Sequence, residues 1–109
     1  MQSETILMNG VALLRLTGKI GQEENLLRET VLEMLRKGVK RIVLEMGGIP
    51  IMGSAALAEL VSSLVSAQRY KAVVKLANPT TNVRGILDIT KLSTVFDIYD
   101  TEEEALRSF

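Results

Sequence analysis

The chain has 109 residues, of which 47% are hydrophobic, and its 13 basic and 13 acidic side chains give a formal net charge of zero. This apolar content is enough for a folded core, whereas the balanced charge disfavours binding to nucleic acid. Because the sequence has no cysteine and no histidine, it offers no disulfide, thiol nucleophile, imidazole base or zinc knuckle.

The start of the chain, Met1–Thr5, lacks the charged and apolar regions of a signal peptide. No apolar run approaches the roughly 18 residues of a membrane span. We therefore expect a cytoplasmic protein that binds no membrane, metal or cofactor and is not an enzyme. A small enzyme using Asp88 or Asp97 is the weakest alternative, because nothing in the sequence brings such carboxylates into one pocket.

Two strand patterns open the chain. The dipeptide Asn9-Gly10 separates them and is a strong hairpin signal. We expect an antiparallel hairpin over Thr5–Thr17, ended by Gly18.

A helix is predicted next, over Gln22–Lys37. Glu23 and Glu24 lie in its first turn, where negative charge complements the helix dipole, and Gly38 suits the left-handed residue after its end. Its apolar face consists of Leu27, Val31, Met34 and Leu35.

The centre of the chain predicts a strand, a turn and a second helix. The strand covers Arg41–Met46, and the helix covers about Ser54–Gln68. An apolar stripe on this helix is expected to pack in the core, with partner docking as the less favoured alternative; it comprises Leu57, Leu60, Val61, Leu64 and Val65.

Three more elements and a capping box complete the pattern. We expect a strand over Ala72–Ala77, a helix over Asn82–Thr90 and a strand over Val95–Tyr99. Thr101–Glu104 is a capping box that opens a final helix. Alternating strands and helices predict an α/β fold: a mainly parallel sheet of four to five strands, an N-terminal antiparallel hairpin and about four helices.

Four stretches of the sequence, in this order, resemble the STAS domain and, within it, the bacterial anti-sigma factor antagonists. They are Leu16–Ile20; Ile42–Glu45 with Ile51–Leu57; Asn78-Pro79 with Val83, Arg84 and Leu87; and Leu92, Phe96 and Ile98–Leu106. The resemblance covers nearly the whole chain and implies a single STAS domain over residues 1–109.

The resemblance implies that Ser54 is the phosphoacceptor, because it follows the position of the family's motif aspartate. Its kinase would be the partner itself, an anti-sigma factor of the histidine-kinase-like ATPase type. The unphosphorylated protein would bind that partner and free the sigma factor, and phosphate would block binding. The implied partner-binding residues are Met52, Gly53, Ser54, Ala55, Ala56 and Leu57, with the Gly18–Gly21 and Pro79–Asn82 loops expected at the same end of the sheet.

The motif departs from the family pattern at three positions. Gly53 replaces the aspartate, and Ala55 and Ala56 replace a hydroxyl residue and a glycine. Ser54 is therefore interpreted as a phosphoacceptor, as the N-cap of the second helix, or as an incidental surface serine. The alternative function is a scaffolding or partner-binding STAS module without a phosphorylation cycle. A monomer is expected, with weak pairing through the exposed face of the hairpin as the other outcome.

Overall fold

The computed structural model describes residues 1–21 and 25–109. The predicted helix start at Gln22 and the acidic first turn at Glu23 and Glu24 lie outside the described residues. The strands are β1 (Gln2–Met8), β2 (Val11–Thr17), β3 (Arg41–Gly48), β4 (Val73–Ala77) and β5 (Asp97–Tyr99). The helices are α1 (Leu26–Arg36), α2 (Ser54–Arg69), α3 (Thr81–Ile89) and α4 (Glu102–Arg107).

The five strands form one mixed sheet in the order β1-β2-β3-β4-β5. β1 is antiparallel to β2, and the remaining neighbours are parallel. The predicted fold class is therefore confirmed. β1 begins at Gln2, three residues earlier than expected, and the positive φ angles of Asn9 (52°) and Gly10 (79°) form the predicted tight turn.

The parallel strands β2 to β5 lie side by side in the order of the chain. Right-handed crossovers between such strands place α1, α2 and α3 on the same face of the sheet. Alternate residues of each strand face this layer, as Leu14 and Leu44 do in the larger core cluster. The opposite face carries a smaller cluster in which Leu13 and Val43 pack with Ala105 of α4. The sheet is thus covered on both faces, by three helices on one and by α4 on the other.

The last strand is shorter than predicted. A 3-10 turn occupies Leu92–Thr94, and the amide of Phe96 donates to the carbonyl of Leu92 at 3.0 Å. This bond keeps Val95 and Phe96 out of the strand, so β5 begins at Asp97 rather than at Val95.

The predicted capping of α4 by Thr101 is confirmed. The Thr101 hydroxyl accepts a hydrogen bond from the Glu104 amide at 3.1 Å.

A branched ion pair joins β1, β2 and the first turn of α4. Arg15 Nε donates to Glu102 Oε1 at 2.7 Å, and Arg15 Nη1 donates to Glu4 Oε1 at 3.0 Å. The hydrogen bond from Arg15 lowers the pKa of Glu102 below its ordinary value of 4.5, and the two carboxylates raise the pKa of Arg15. The ionised form of Glu102 is therefore favoured by folding.

Arg15→Met is expected to reduce the loss of stability in acid. Glu102 titrates near 4.5 in the unfolded chain and lower in the folded one, so its contribution is complete above that pH and is lost as the pH falls through the folded pKa. Urea unfolding between pH 7 and pH 3 checks this. Arg107→Met is the matched control, since its pair with Glu103 is exposed. Equal acid sensitivity of Arg15→Met and wild type would contradict the expectation.

Candidate functional site

The carboxyl ends of β2, β3 and β4 lie at one edge of the sheet because these strands are parallel. The Gly18 amide donates to the Gly48 carbonyl at 3.0 Å, and the Thr80 hydroxyl donates to the Ile49 carbonyl at 3.4 Å. The loops after β2 and β4 therefore flank the turn between β3 and α2, as the sequence predicted.

Ser54 is the first helical residue of α2. The N-cap is Gly53, in extended conformation (φ −96°, ψ −171°), and its carbonyl accepts from the Leu57 amide at 3.1 Å. The interpretation of Ser54 as the N-cap is therefore wrong: extended backbone of this kind belongs to the cap position, and Ser54 already has helical geometry. Ser54 is exposed, and its hydroxyl has no hydrogen-bond partner among the described residues.

The predicted partner-binding residues divide into an exposed and a buried set. Gly53, Ser54 and Ala55 are exposed, whereas Met52 (4% exposed) and Ala56 (1%) lie in the core beneath α2. The side chains of Met52 and Ala56 pack in the core cluster, so the side-chain surface of this turn that is open to a partner comes from the exposed residues, and partner contact itself stays a prediction. Leu57 is partly buried against the same core.

The loop after β2 closely approaches the first turn of α2. Gly21 has a positive φ of 88°, and a Cβ placed on it would lie 2.9 Å from Ala55 Cβ and 3.0 Å from the Ala56 nitrogen. Only a residue without a side chain fits this contact. The importance of Gly21 was not found from the sequence, because a single glycine does not reveal what it touches.

Two valines of α2, Val61 and Val65, are exposed on the side of the helix that also carries Ser54. Val61 is 38% exposed and Val65 is 46% exposed, so the prediction that they pack in the core is wrong. The buried arc of α2 consists instead of Ala56, Glu59, Leu60, Ser63 and Ala67. Ser54 and Val61 are seven residues apart, which is about two helical turns, so they lie on the same side of α2.

The exposed turn carries no charge of its own, because every residue from Ile51 to Leu57 is neutral. Ile51 adds a large apolar side chain that is 55% exposed. In the described part of the chain, no group of three or more acidic residues is placed to hold a metal ion. Across residues 1–21 and 25–109, no helix combines the length and apolar character needed to cross a membrane.

Gly53 has open space where the family has an aspartate. A Cβ at this position meets nothing within 4 Å, and the backbone is in a conformation open to any residue. The Cβ of an aspartate would therefore displace no neighbouring atom at this position.

Gly53→Asp is expected to raise the free energy of unfolding by roughly 0.3–1 kcal/mol, because an aspartate N-cap accepts from first-turn amides and complements the helix dipole. Urea unfolding at pH 7 measures the change. Gly47→Asp is the control: its Cβ would meet the Asn78 amide and lie 2.8 Å from Glu45 Oε1. It should destabilise, because it would displace the hydrogen bond that Asn78 donates to Glu45 and would place a second carboxylate beside Glu45. A loss of stability in Gly53→Asp would show that the site is not open.

A family model described as the STAS domain matches residues 4–105. This chain belongs to the STAS domain family. The match includes all of the turn between β3 and α2 and both flanking loops.

Among similar proteins, a candidate anti-sigma factor antagonist from Thermotoga neapolitana is 34% identical over 74 residues, which is 68% of this chain and 66% of that protein. The aligned part is thus just under two thirds of the relative's length. The crystal structure of a candidate anti-sigma factor antagonist from Thermotoga maritima has a TM-score of 0.89 at 25% identity, covering 97% of this chain and 92% of that one. The phosphorylated form of the Bacillus cell fate determinant SpoIIAA shares the fold, with a TM-score of 0.75 at 16% identity over 98% of each chain.

Proposed function

We propose that this STAS domain is an anti-sigma factor antagonist that binds an anti-sigma factor and is released from it by phosphorylation of Ser54. One observation carries the proposal: Ser54 is exposed at the start of α2 and its hydroxyl is unpaired among the described residues. The sequence resemblance supports it further, because it implies that Ser54 is the phosphoacceptor. The kinase would be the partner itself, an ATPase of the histidine-kinase-like type.

The position of Ser54 explains how phosphate could act without unfolding the domain. The first amides of a helix lack backbone partners and lie at the positive end of the helix dipole, so they tolerate a phosphate well. Phosphorylation adds about −1.5 to −2 charges. On a turn whose residues 51–57 are all neutral, that charge would have to be desolvated against the partner, and binding would weaken.

The surface offered to the partner is apolar around the serine. Ile51, Val61 and Val65 are exposed on the turn and along α2, and Gly53 and Ala55 leave the backbone accessible. We infer a contact made mainly by this neutral surface, with Ser54 near its centre. The proposal takes residues 1–109 as one cytoplasmic, monomeric STAS domain that acts by binding and not by catalysis.

A second function is favoured by Gly53. If the family's aspartate orients the serine for phosphoryl transfer, its replacement by Gly53 leaves a STAS module that binds partners without a phosphorylation cycle. Since a Cβ at this position meets no neighbouring atom, Gly53→Asp would increase phosphorylation of Ser54 by a captured kinase if the missing aspartate is what limits phosphoryl transfer.

The two functions are separated by affinity capture from the lysate of the native host, with wild type, Ser54→Ala and Ser54→Asp as baits. We expect wild type and Ser54→Ala to retain a histidine-kinase-like ATPase and Ser54→Asp to retain at least tenfold less of it. The alanine variant is the control for loss of the hydroxyl without added charge. Equal retention of the ATPase by all three baits would select the module without a switch, and absence of any such ATPase would reject the antagonist function.

A further inference from the structure

A groove runs along α2 on the side facing the start of α1. It has a volume of about 220 Å³ and is lined by Gly21, Asn25, Ala55, Ala58, Glu59 and Ser62. We name it the Glu59 groove. It begins one residue after Ser54 and extends about two helical turns along α2.

Glu59 is the unusual residue of this groove, because it is acidic and only 6% exposed. Its Oε1 accepts from the amides of Leu27 at 2.9 Å and Arg28 at 3.3 Å, and so caps the start of α1 from a different helix. Its Oε2 is buried and has no hydrogen-bond partner. A buried carboxylate oxygen without a donor is costly, so this oxygen marks a place where a donor would be stabilised.

Two further acceptors line the same groove. The side chains of Asn25 and Ser62 line it, Asn25 makes no side-chain cap hydrogen bond to α1, and Ala55 and Ala58 are small enough to leave the groove open. Glu59 is the one charged residue in the described lining. The groove therefore combines a negative charge, polar acceptors and free volume.

We propose that the Glu59 groove binds an arginine side chain of the partner protein, with the guanidinium donating to Glu59 Oε2. Guanidinium carries five N–H donors in a planar fork and is weakly hydrated, which suits several acceptors in a narrow space better than an ammonium group does. Because Oε2 is buried, the groove must widen for the donor to reach it. The identity of the partner rests on the proposed function, but the chemistry of the groove does not.

The arginine site would be coupled to α1 through the same carboxylate. A cation bound at Oε2 reduces the negative charge on Oε1, the oxygen that accepts hydrogen bonds from the Leu27 and Arg28 amides. Binding should therefore be detected at these two amides as well as along α2.

The test is a titration of the full ¹⁵N-labelled chain with N-acetyl-arginine methylamide at constant pH and ionic strength. We expect saturable amide shifts at Leu27, Arg28 and Ser62. N-acetyl-citrulline methylamide, which has the same shape without the charge, should produce shifts at least tenfold smaller at the same concentration.

Two variants complete the test. Glu59→Gln retains an oxygen to cap α1 but loses the charge, and Ala58→Leu fills the groove from an exposed position while leaving Glu59 in place. Both should abolish the saturable shifts. Shifts that do not saturate, that are equal with citrulline, or that persist in folded Ala58→Leu would overturn the proposal. Arginine binding combined with failure to capture an ATPase would reject the antagonist function alone.

Discussion

Leu44→Ala is expected to lower the free energy of unfolding by about 2–5 kcal/mol, the largest effect we anticipate from a single core substitution. Leu44 lies in the central strand β3, is fully buried, and pairs in register with Leu14 of β2 and Leu76 of β4. All three side chains face the α1–α3 layer. Truncating the Leu44 side chain leaves a cavity that cannot close easily, because β3 is hydrogen-bonded to β2 on one side and to β4 on the other.

Urea unfolding at pH 7 measures this change, with Leu7→Ala as the matched control. Leu7 lies in the edge strand β1 and is 72% exposed, so the same chemical change should alter stability by no more than about 0.5 kcal/mol. Similar costs for the two variants would mean that the core is not centred on β3.

Gly21→Ala is expected to destabilise the protein by about 2–5 kcal/mol, because two penalties act together. The positive φ of 88° disfavours any residue with a Cβ, which costs about 1–2 kcal/mol. The added Cβ would also lie 2.9 Å from Ala55 Cβ, and such overpacking costs about 1–3 kcal/mol. Since relief of the contact would push the loop away from the first turn of α2, partner binding near Ser54 should weaken as well.

Gly38→Ala separates the two penalties. Gly38 also has a positive φ, of 90°, but a Cβ there meets nothing within 4 Å. It should therefore show only the backbone cost. Urea unfolding of both variants gives the difference, which we expect to exceed 1 kcal/mol and which measures the contact between Gly21 and α2. Equal losses would show that the loop is free to move away from the helix.

Much of the fold follows from local sequence signals. Asn9-Gly10 predicts the hairpin because few residues other than asparagine and glycine adopt positive φ readily. The apolar centre of β3, Ile42 to Leu44, predicts a strand covered on both faces, as observed. The capping hydroxyl of Thr101 marks the start of α4, because a helix start needs acceptors for its free amides.

The candidate site was located by the sequence only in part. Residues 51–57 lie at the predicted edge of the sheet, because parallel strands bring their carboxyl ends together. The exposure of Ser54 and the burial of Met52 and Ala56 could not be read from the sequence. A shift of one residue in the helix start turns each side chain by about 100°, so the choice of Gly53 as N-cap decides which of them face the solvent.

Longer-range chemistry was decided by the tertiary structure. Lys75 is 8% exposed in the middle of β4, and its Nζ donates to Ser108 Oγ at 2.7 Å and lies 4.3 Å from the centre of the Phe109 ring. Glu59 of α2 caps α1, 32 residues earlier in the chain. A lysine in a strand and a glutamate in a helix both appear as solvent-exposed residues in a sequence pattern.

The order of strands and helices, the hairpin turn and the family can be predicted from the amino-acid sequence, because these depend on signals carried by neighbouring residues. The exposed side of α2, the glycine that contacts this helix and the position of the unpaired Glu59 oxygen are known only from the folded structure. Burial and hydrogen bonding depend on which helices and strands pack against each other, and these can be far apart in the sequence. Val61 and Val65 are apolar in any context, but they are exposed because no described element covers that side of α2.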